Sequence, residues 1–209
     1  MMKFRHFNRS LVVIAAFAVF AAEVAAQDQP TLSVQKLLER GALNEAVQRA
    51  EGERENPEST YLAAQAFSKM NNNERAGQEY SRLRETGDDS WRAIGESGAL
   101  LTAGNIDGAM DAANRAVAAN GDNPYAHYQI GLVANRQGNN ERALEAFSRA
   151  LERKPDLAYA HYYAGTASQR LRQMARMSEH FEKFLQLAPE APERTAVAAI
   201  LRTLRPRRR

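Results

Sequence analysis

The chain contains no cysteine in its 209 residues. It therefore has no disulfide, no thiolate ligand for zinc, no cysteine nucleophile and no N-terminal cysteine for lipid attachment. A chain without cysteine is suited to an oxidising compartment but does not establish one. The fold must come from a hydrophobic core, and 44% of the residues are hydrophobic.

The chain also lacks a strong charge of either sign, with a formal net charge of +3. Residues 27–191 carry 19 basic and 23 acidic side chains, whereas residues 192–209 carry six arginines and one glutamate. A nucleic-acid-binding domain needs a broad cationic face, and a mildly acidic body does not supply one. We expect no nucleic-acid partner.

Catalytic and cofactor-binding motifs are missing as well. The sequence has no phosphate-binding loop, dinucleotide fingerprint, HExxH pair or nucleophile elbow. The segment Gly95-Glu96-Ser97-Gly98 lacks the outer glycine spacing of a serine hydrolase, so we interpret it as helix with small residues. His127 and His161 are interpreted as packing residues. We predict that the protein is not an enzyme and uses no cofactor and no metal.

Long apolar runs are absent except near the N-terminus. There, Lys3, Arg5 and Arg9 precede an apolar run from Leu11 to Ala22, and small residues follow up to Ala26. This order is typical of a secretory signal, and the run is short for a membrane span. We predict a signal peptide at residues 1–26, cleaved after Ala26, and a periplasmic or secreted protein. An uncleaved membrane anchor is the alternative.

What the sequence does contain is a repeat of 34 residues in its second half. Residues recur at this spacing as His127 and His161, Gly131 and Gly165, Phe147 and Phe181, and Pro155 and Pro189. Ala143, Phe147 and Ala150 are four and three residues apart, so they share one face of a helix. Gly138 indicates a turn between two helices, and Pro155 ends the unit.

This pattern resembles the tetratricopeptide repeat, in which a small residue at a helix crossing, a turn glycine and an Ala–x3–Phe–x2–Ala helix recur. The resemblance implies an all-α, right-handed superhelical solenoid of about four to five helix–turn–helix units. We place this array at residues 27–191. Its units lie at about residues 30–56, 57–89, 90–123, 124–157 and 158–191. The resemblance is strongest over 124–191 and weakest over 30–56.

The last unit departs from the pattern, because Met177 and Phe184 stand where alanines are expected. Such bulk suggests that the unit packs against something other than a further repeat. Residues 192–204 supply an amphipathic segment whose apolar face is Val197, Ile200, Leu201 and Leu204. A solenoid end needs a cover, so we predict a C-terminal capping helix here. Residues 205–209 are predicted to be a disordered basic tail. This tail is either only surrounded by solvent or in weak contact with an anionic surface.

The resemblance also implies a binding groove, since the first helices of such units line the concave side. Carried over to this chain, the predicted peptide-binding groove consists of Tyr61, Gln65, Lys69, Trp91, Ile94, Tyr125, Tyr128, Asn135, Arg136, Tyr159, Tyr162, Gln169 and Arg170. Tyr and Trp offer large, stiff contact area, which suits an interface. The alternative is that these tyrosines only pack against the adjacent repeat, as we expect for Tyr80 and Tyr163.

The expected function is therefore an exported scaffold that holds a protein or peptide partner in an aromatic groove, in envelope assembly, secretion or complex formation. The Lys and Asn residues of the two-carboxylate clamp are absent, so chaperone C-termini are not the expected ligands. Two alternatives stay open. One is a structural, self-associating homo-oligomer, and the other is an accessory subunit of an envelope enzyme. The sequence does not identify the partner.

Overall fold

The structure, a computed structural model, describes residues 32–204; the predicted signal peptide and the basic tail lie outside the described residues. Residues 32–204 form eleven helices and no strand. The helices are α1 (Val34–Glu39), α2 (Leu43–Glu51), α3 (Pro57–Lys69), α4 (Asn73–Thr86), α5 (Asp89–Thr102), α6 (Ile106–Ala119), α7 (Pro124–Gln137), α8 (Asn140–Arg153), α9 (Ala158–Arg170), α10 (Met174–Leu187) and α11 (Arg194–Leu204).

Each helix packs against the next one along the chain, from α1 to α11. The first ten helices thus form five antiparallel pairs, which we number units 1 to 5, and α11 covers the last pair. This order of packing is that of a helical solenoid. It confirms the fold class predicted from the repeat.

Polar caps explain where most of the helices begin. From α3 to α8, each helix follows an Asn or Asp whose side-chain oxygen accepts a hydrogen bond from a backbone N–H in the first turn. Such a cap satisfies one of the free donors at a helix N-terminus. The helices α9 and α10 have no side-chain cap, so their positions depend more on packing.

The turn inside each of the five units contains one residue with a left-handed backbone. These residues are Gly41, Asn71, Gly104, Gly138 and Arg172, with φ between 57° and 82°. Glycine and asparagine adopt this conformation readily, whereas a long side chain does so at a cost. Arg172 therefore marks the turn of unit 5 as the least favourable of the five.

Close helix crossings occur at the positions where the sequence predicted small residues. A Cβ atom on Gly131 would lie 2.6 Å from the ring of Phe147, and one on Gly165 would lie 2.5 Å from the ring of Phe181. Only a residue without a side chain fits at such distances. The phenylalanine ring of each second helix therefore packs directly on the backbone of the first.

The array ends in a capping helix, as the sequence predicted. Met177 and Phe184 are buried, and Val197 of α11 is buried beside them in the same core. Ile200 and Leu201 pack partly against this core, whereas Leu204 is 39% exposed. By its spacing Leu204 belongs to the same apolar face of α11, but this end of the face is not covered. It lies in the last turn, where α11 extends past the core.

Candidate interaction surface

The first helices of the units turn toward one another and share what we call the inner face. Its centre is Tyr61, whose ring centroid lies 5.2 Å from that of Tyr125, 6.1 Å from that of Trp91 and 6.5 Å from that of Tyr128. Tyr61 is fully buried. The rings thus join units 2, 3 and 4 in one aromatic core, in the tilted arrangements that aromatic pairs prefer.

A second group of rings extends this core into unit 5. Tyr163 stacks on Phe147 at 5.5 Å, and Tyr159 packs against Phe184 at 5.9 Å. Tyr162 lies at the border, 5.3 Å from Phe184 by ring centroids, and is only half-buried. Tyr80 and Tyr163 therefore pack in the core as expected, Tyr80 at 6.2 Å from Tyr61.

Polar side chains cross the inner face as a buried chain of hydrogen bonds. The Tyr61 hydroxyl donates to Gln129 Oε1 at 2.9 Å, and Gln129 Nε2 donates to Ser97 Oγ at 3.2 Å. Ser97 Oγ donates in turn to the carbonyl of Ala109 at 2.7 Å. Every polar group in this series of hydrogen bonds has a partner. The series therefore stabilises the packing of units 2, 3 and 4, and burial of its polar groups carries no large cost. It also gives Ser97 a structural role.

Tyr125 takes part in a polar bridge between unit 2 and the end of unit 4. Its hydroxyl donates to Glu58 Oε1 at 2.7 Å, and Lys154 Nζ donates to the same oxygen at 2.8 Å. The Lys154 ammonium lies 5.6 Å from the centroid of the Tyr125 ring. Burial, and then the charge of Glu58, raise the pKa of Tyr125 far above its usual value.

Tyr159 repeats this arrangement one unit later. Its hydroxyl donates to Glu193 Oε2 at 3.0 Å, while Lys69 Nζ donates to Glu193 Oε1 at 3.0 Å and lies 3.8 Å above the Tyr159 ring. Burial opposes ionisation of Glu193, but Lys69 and the hydrogen bonds outweigh it and lower the pKa of that carboxyl. This bridge ties unit 2 to the segment between unit 5 and α11.

Helix α1 and Arg40, which follows it, add contacts between unit 1 and the end of the array. Gln35 Nε2 donates to the carbonyl of Asp156 at 2.9 Å, and the N–H of Ala158 donates to Glu39 Oε1 at 3.4 Å. Arg40 Nη2 lies 2.9 Å from Glu190 Oε2. Unit 1 therefore touches unit 5 and the segment that follows it, and the solenoid is closed on itself.

The predicted groove residues consequently fall into three groups. Tyr61, Ile94, Tyr125, Tyr128 and Tyr159 are buried; Gln65, Lys69, Trp91, Asn135 and Tyr162 are half-buried; and Arg136, Gln169 and Arg170 are exposed. The sequence predicted an aromatic trough open to a ligand. The structure instead leaves a cavity of about 30 Å³ between α1 and the tyrosines, which is room for about one water molecule. Peptide binding by these residues stays a prediction.

One end of the inner face remains accessible, and we call it the open end: Asn135, Arg136, Tyr162, Gln169 and Arg170. Arg170 Nη1 donates to Asn135 Oδ1 at 3.0 Å, which joins the last turns of α7 and α9. Burial and the charge of Glu193 raise the pKa of Tyr162, and Arg170 counteracts them. The open end therefore combines the half-buried ring of Tyr162 with the guanidinium groups of Arg136 and Arg170.

Sequence reasoning missed both carboxylates of the polar bridges. Glu58 occupies the second place of its unit, as Trp91, Tyr125 and Tyr159 do in theirs. The positional rule that selected those three aromatic residues would have selected Glu58 as well. Glu193 follows the last unit, and no repeat position pointed to it.

The histidines act as packing and capping residues. His127 Nε2 lies 2.9 Å from the carbonyl of Gly121, and His161 Nε2 lies 3.1 Å from the carbonyl of Pro155, the same contact one unit later. His161 Nδ1 also lies 3.2 Å from His180 Nδ1. Burial lowers the pKa of His161 to about 4, although the contact with the Pro155 carbonyl acts in the opposite direction. Across residues 32–204, no three His, Asp or Glu side chains converge as a metal site would need.

A second concave surface lies on the outer side, between α6 and α8. Its volume is about 270 Å³, and its charged rim is Arg142, Glu145 and Arg149. Arg149 donates to Glu145 at 2.7 Å, and Arg142 donates to Asn114 at 3.2 Å. Because Glu145 neutralises the charge of Arg149, this cleft offers less free positive charge than the open end and is a weaker candidate. None of the helices in residues 32–204 has both the length and the apolar character of a bilayer span.

Comparison with known proteins connects this architecture to one repeat family. The family description "Tetratricopeptide repeat" matches residues 96–158 and 128–192. These two overlapping segments cover α6 to α10 together with the second half of α5. No curated protein matches the chain.

Solved structures give the same picture of the fold. The APC/C hetero-tetramer Cut9–Hcn1 is 17% identical over 78% of this chain and 34% of that one, with a TM-score of 0.58. The first repeat domain of Spaghetti (RPAP3), bound to an HSP90 peptide, is 18% identical over 55% of this chain and 91% of that one, with a TM-score of 0.50. YrrB is 19% identical over 82% and 89%, with a TM-score of 0.49. At these identities the likeness to the first two structures concerns the fold alone.

Proposed function

We propose that this chain, whose residues 96–192 carry tetratricopeptide repeats, is a non-catalytic scaffold that binds a protein partner at its inner face. One observation supports the proposal most directly: the open end collects Tyr162, Arg136 and Arg170 at the surface, while the rest of the inner face is buried or half-buried. The Spaghetti domain, which has the same fold, binds a peptide. A partner-binding role is therefore compatible with this architecture.

The chemistry of the open end favours a partner segment that carries carboxylates. Arg170 is exposed and holds only neutral amide oxygens, those of Asn135 and Asn140. A guanidinium forms stronger, paired hydrogen bonds with a carboxylate than with an amide. The half-buried ring of Tyr162 adds a rigid flat surface beside it. Because the fold is preformed, little conformational entropy is lost on binding.

The capture experiment places a photo-crosslinking amino acid at Gln169, inside the open end, and treats extracts of the source cells with the purified protein. We expect a crosslinked partner whose yield falls about tenfold in a Tyr162→Ala/Arg170→Ala variant, the loss that is common when an interface anchor is truncated. The matched control is Arg115→Ala, which removes an exposed guanidinium from α6. Equal yields from both variants would disprove the assignment of the open end.

We propose further that the scaffold works outside the cytoplasm, in the envelope or beyond it. The support is the signal-like order of residues 1–26, with its basic start, apolar run and small residues before Gln27. Mass spectrometry of the protein recovered from the cell envelope should give a chain that begins at Gln27. A chain that still begins at Met1 would indicate a retained anchor instead.

A further inference from the structure

We propose that two polar bridges form a clasp that holds the inner face shut, and that release of the clasp uncovers the buried tyrosines for the partner. The clasp consists of Glu58 with Lys154 and Tyr125, and of Glu193 with Lys69 and Tyr159. The link between the clasp and a partner rests on the proposed function. The opening itself is a property of the free protein and is measured without a partner.

The first argument is that the same arrangement occurs twice. Tyr125 and Tyr159 occupy equivalent places in successive units, and each donates its hydroxyl to a carboxylate from a distant part of the chain. Each carboxylate also accepts a lysine ammonium, and each ammonium lies over the ring of the same tyrosine. In both copies a residue of unit 2 is tied to a residue in a later part of the array, Glu58 to Lys154 at the end of unit 4 and Lys69 to Glu193 after unit 5.

The second argument is the nature of the seam that the clasp closes. Helices pack along their length on their neighbours in the chain, but no helix of the first two units packs in this way on α9, α10 or α11. Long side chains span the gap instead. Separating the two ends therefore breaks these hydrogen bonds and ion pairs, and it also exposes apolar side chains that line the seam, among them Leu38, Tyr61 and Leu157. Because the seam lacks lengthwise helix packing, it is the plane along which we expect the closed solenoid to open.

Further polar contacts also cross the seam. Gln35 Nε2 reaches the carbonyl of Asp156, and Arg40 pairs with Glu190 at the surface. The side chains of Lys69 and Lys154 keep about a quarter of their surface exposed. The bridges are thus within reach of water and of a competing charged partner.

Trp91 reports on the opening. It is the only tryptophan of the chain, and its ring contacts those of Tyr61 and Tyr125 behind the seam. Acrylamide, which is uncharged, quenches tryptophan fluorescence by collision. Because Trp91 is half-buried in the closed form, the rise of its quenching constant above the wild-type value measures opening of the inner face, and changes of protein charge do not distort it.

The test is the full chain with Glu58→Gln and Glu193→Gln, which keep the shape of both side chains and remove their charge. We expect the quenching constant of Trp91 to rise about twofold as the locally open state becomes more populated, with unchanged helical circular dichroism. The matched control is Glu96→Gln with Glu145→Gln, which removes two carboxylates from exposed outer pairs with Arg115 and Arg149. The control is expected to match the wild type.

A covalent lock separates opening from general loosening. Because the chain has no cysteine, Arg40→Cys and Glu190→Cys introduce the only two thiols, which a short bismaleimide joins across the seam. In the Glu58→Gln/Glu193→Gln background, the crosslink should return the quenching constant to the wild-type value. If the Gln variant does not fold, the wild type is compared at low and high salt, where screening weakens the bridges and the crosslink should cancel the increase.

Two results overturn the inference: a quenching constant as low in the Gln variant as in the outer-pair control, or an increase that the crosslink does not reverse. The proposed function fails in a different way. If the clasp opens but no partner is captured at the open end or at the uncovered tyrosines, the scaffold role is wrong and the clasp is not. If the crosslinked protein captures its partner as well as the wild type does, binding does not need the opening, and the part of the inference that links the clasp to the partner is wrong.

Discussion

Tyr61 and Tyr162 occupy the same place in units 2 and 5, yet they lie in different surroundings. Tyr61 is fully buried, donates to Gln129 and contacts rings from units 3 and 4. Tyr162 is half-buried and packs on Phe181 and Phe184 of its own unit. The position within a repeat therefore decides which way a side chain points. How many later units wind over it decides whether it is covered.

The largest expected effect comes from removing the covered ring. Tyr61→Ala should lower the free energy of unfolding by about 3–5 kcal/mol, the usual cost of deleting a buried aromatic side chain. Tyr162→Ala should cost less than half as much, since its ring is only partly covered. Urea denaturation followed by circular dichroism gives both values, and equal losses would contradict the comparison.

The next largest effect is the loss of stability at alkaline pH. Burial raises the pKa of Tyr163 to about 12 and raises the pKa of Tyr61 and Tyr128 as well, whereas an unfolded tyrosine ionises near pH ~10. Above that pH the unfolded chain releases protons that the folded chain retains, so the free energy of unfolding falls as the pH rises. In an ultraviolet titration Tyr162 should ionise before the covered tyrosines. Seven tyrosines ionising together in the folded protein would rule this out.

A smaller effect on stability is expected at acid pH, from the contact between two histidines of unit 5. His161 contacts His180 and has a pKa of about 4, whereas an unfolded histidine binds its proton near pH ~6.5. Between these values the unfolded chain holds more protons, so stability is present above pH ~6.5 and is lost as the pH falls toward 4. Thermal melts of wild type and His161→Gln across this range check the prediction. The substitution should flatten the dependence, and an unchanged slope would assign it to other groups.

The smallest effect concerns a buried hydroxyl in unit 5. Among the described residues, Ser168 Oγ is buried without a hydrogen-bond partner, and the equivalent residue of unit 4 is Ala134. Ser168→Ala should leave stability unchanged or raise it by up to about 1 kcal/mol, because no bond is lost and an unpaired polar group disappears. Chemical denaturation is sensitive enough, with Ser97→Ala as the contrasting case, since Ser97 has partners on both sides. A clear loss of stability in Ser168→Ala would reveal a partner for this hydroxyl.

The fold was predictable because each of its determinants is local. Gly131 and Phe147 indicate a tight crossing, Gly138 a turn, and the alanines around Phe147 a buried helical face, all within one unit. Arg172 escaped notice as a turn residue, because its left-handed backbone is imposed by the helices around it and not by its own preference.

The sequence predicted on which face of the helices the candidate site would lie, but not how far its residues would be exposed. The family register brought most of the inner-face aromatics together correctly, but it did not show that they would be covered. Coverage depends on bonds such as Tyr61 to Gln129 and Lys69 to Glu193, between residues 68 and 124 positions apart. No periodicity of 34 residues encodes contacts of that range, because they arise from the winding of the whole array.

The bonds between the first and last units change how such an array comes apart. A linear stack of repeats frays from its ends, because a terminal unit has one neighbour and loses little when it melts. Here unit 1 has a second neighbour, through Gln35 and Arg40, and α11 is held through Glu193. Neither terminus is energetically a free end. Melting should therefore be a single cooperative event, with hydrogen exchange in α1 and α9 slowed to a similar degree.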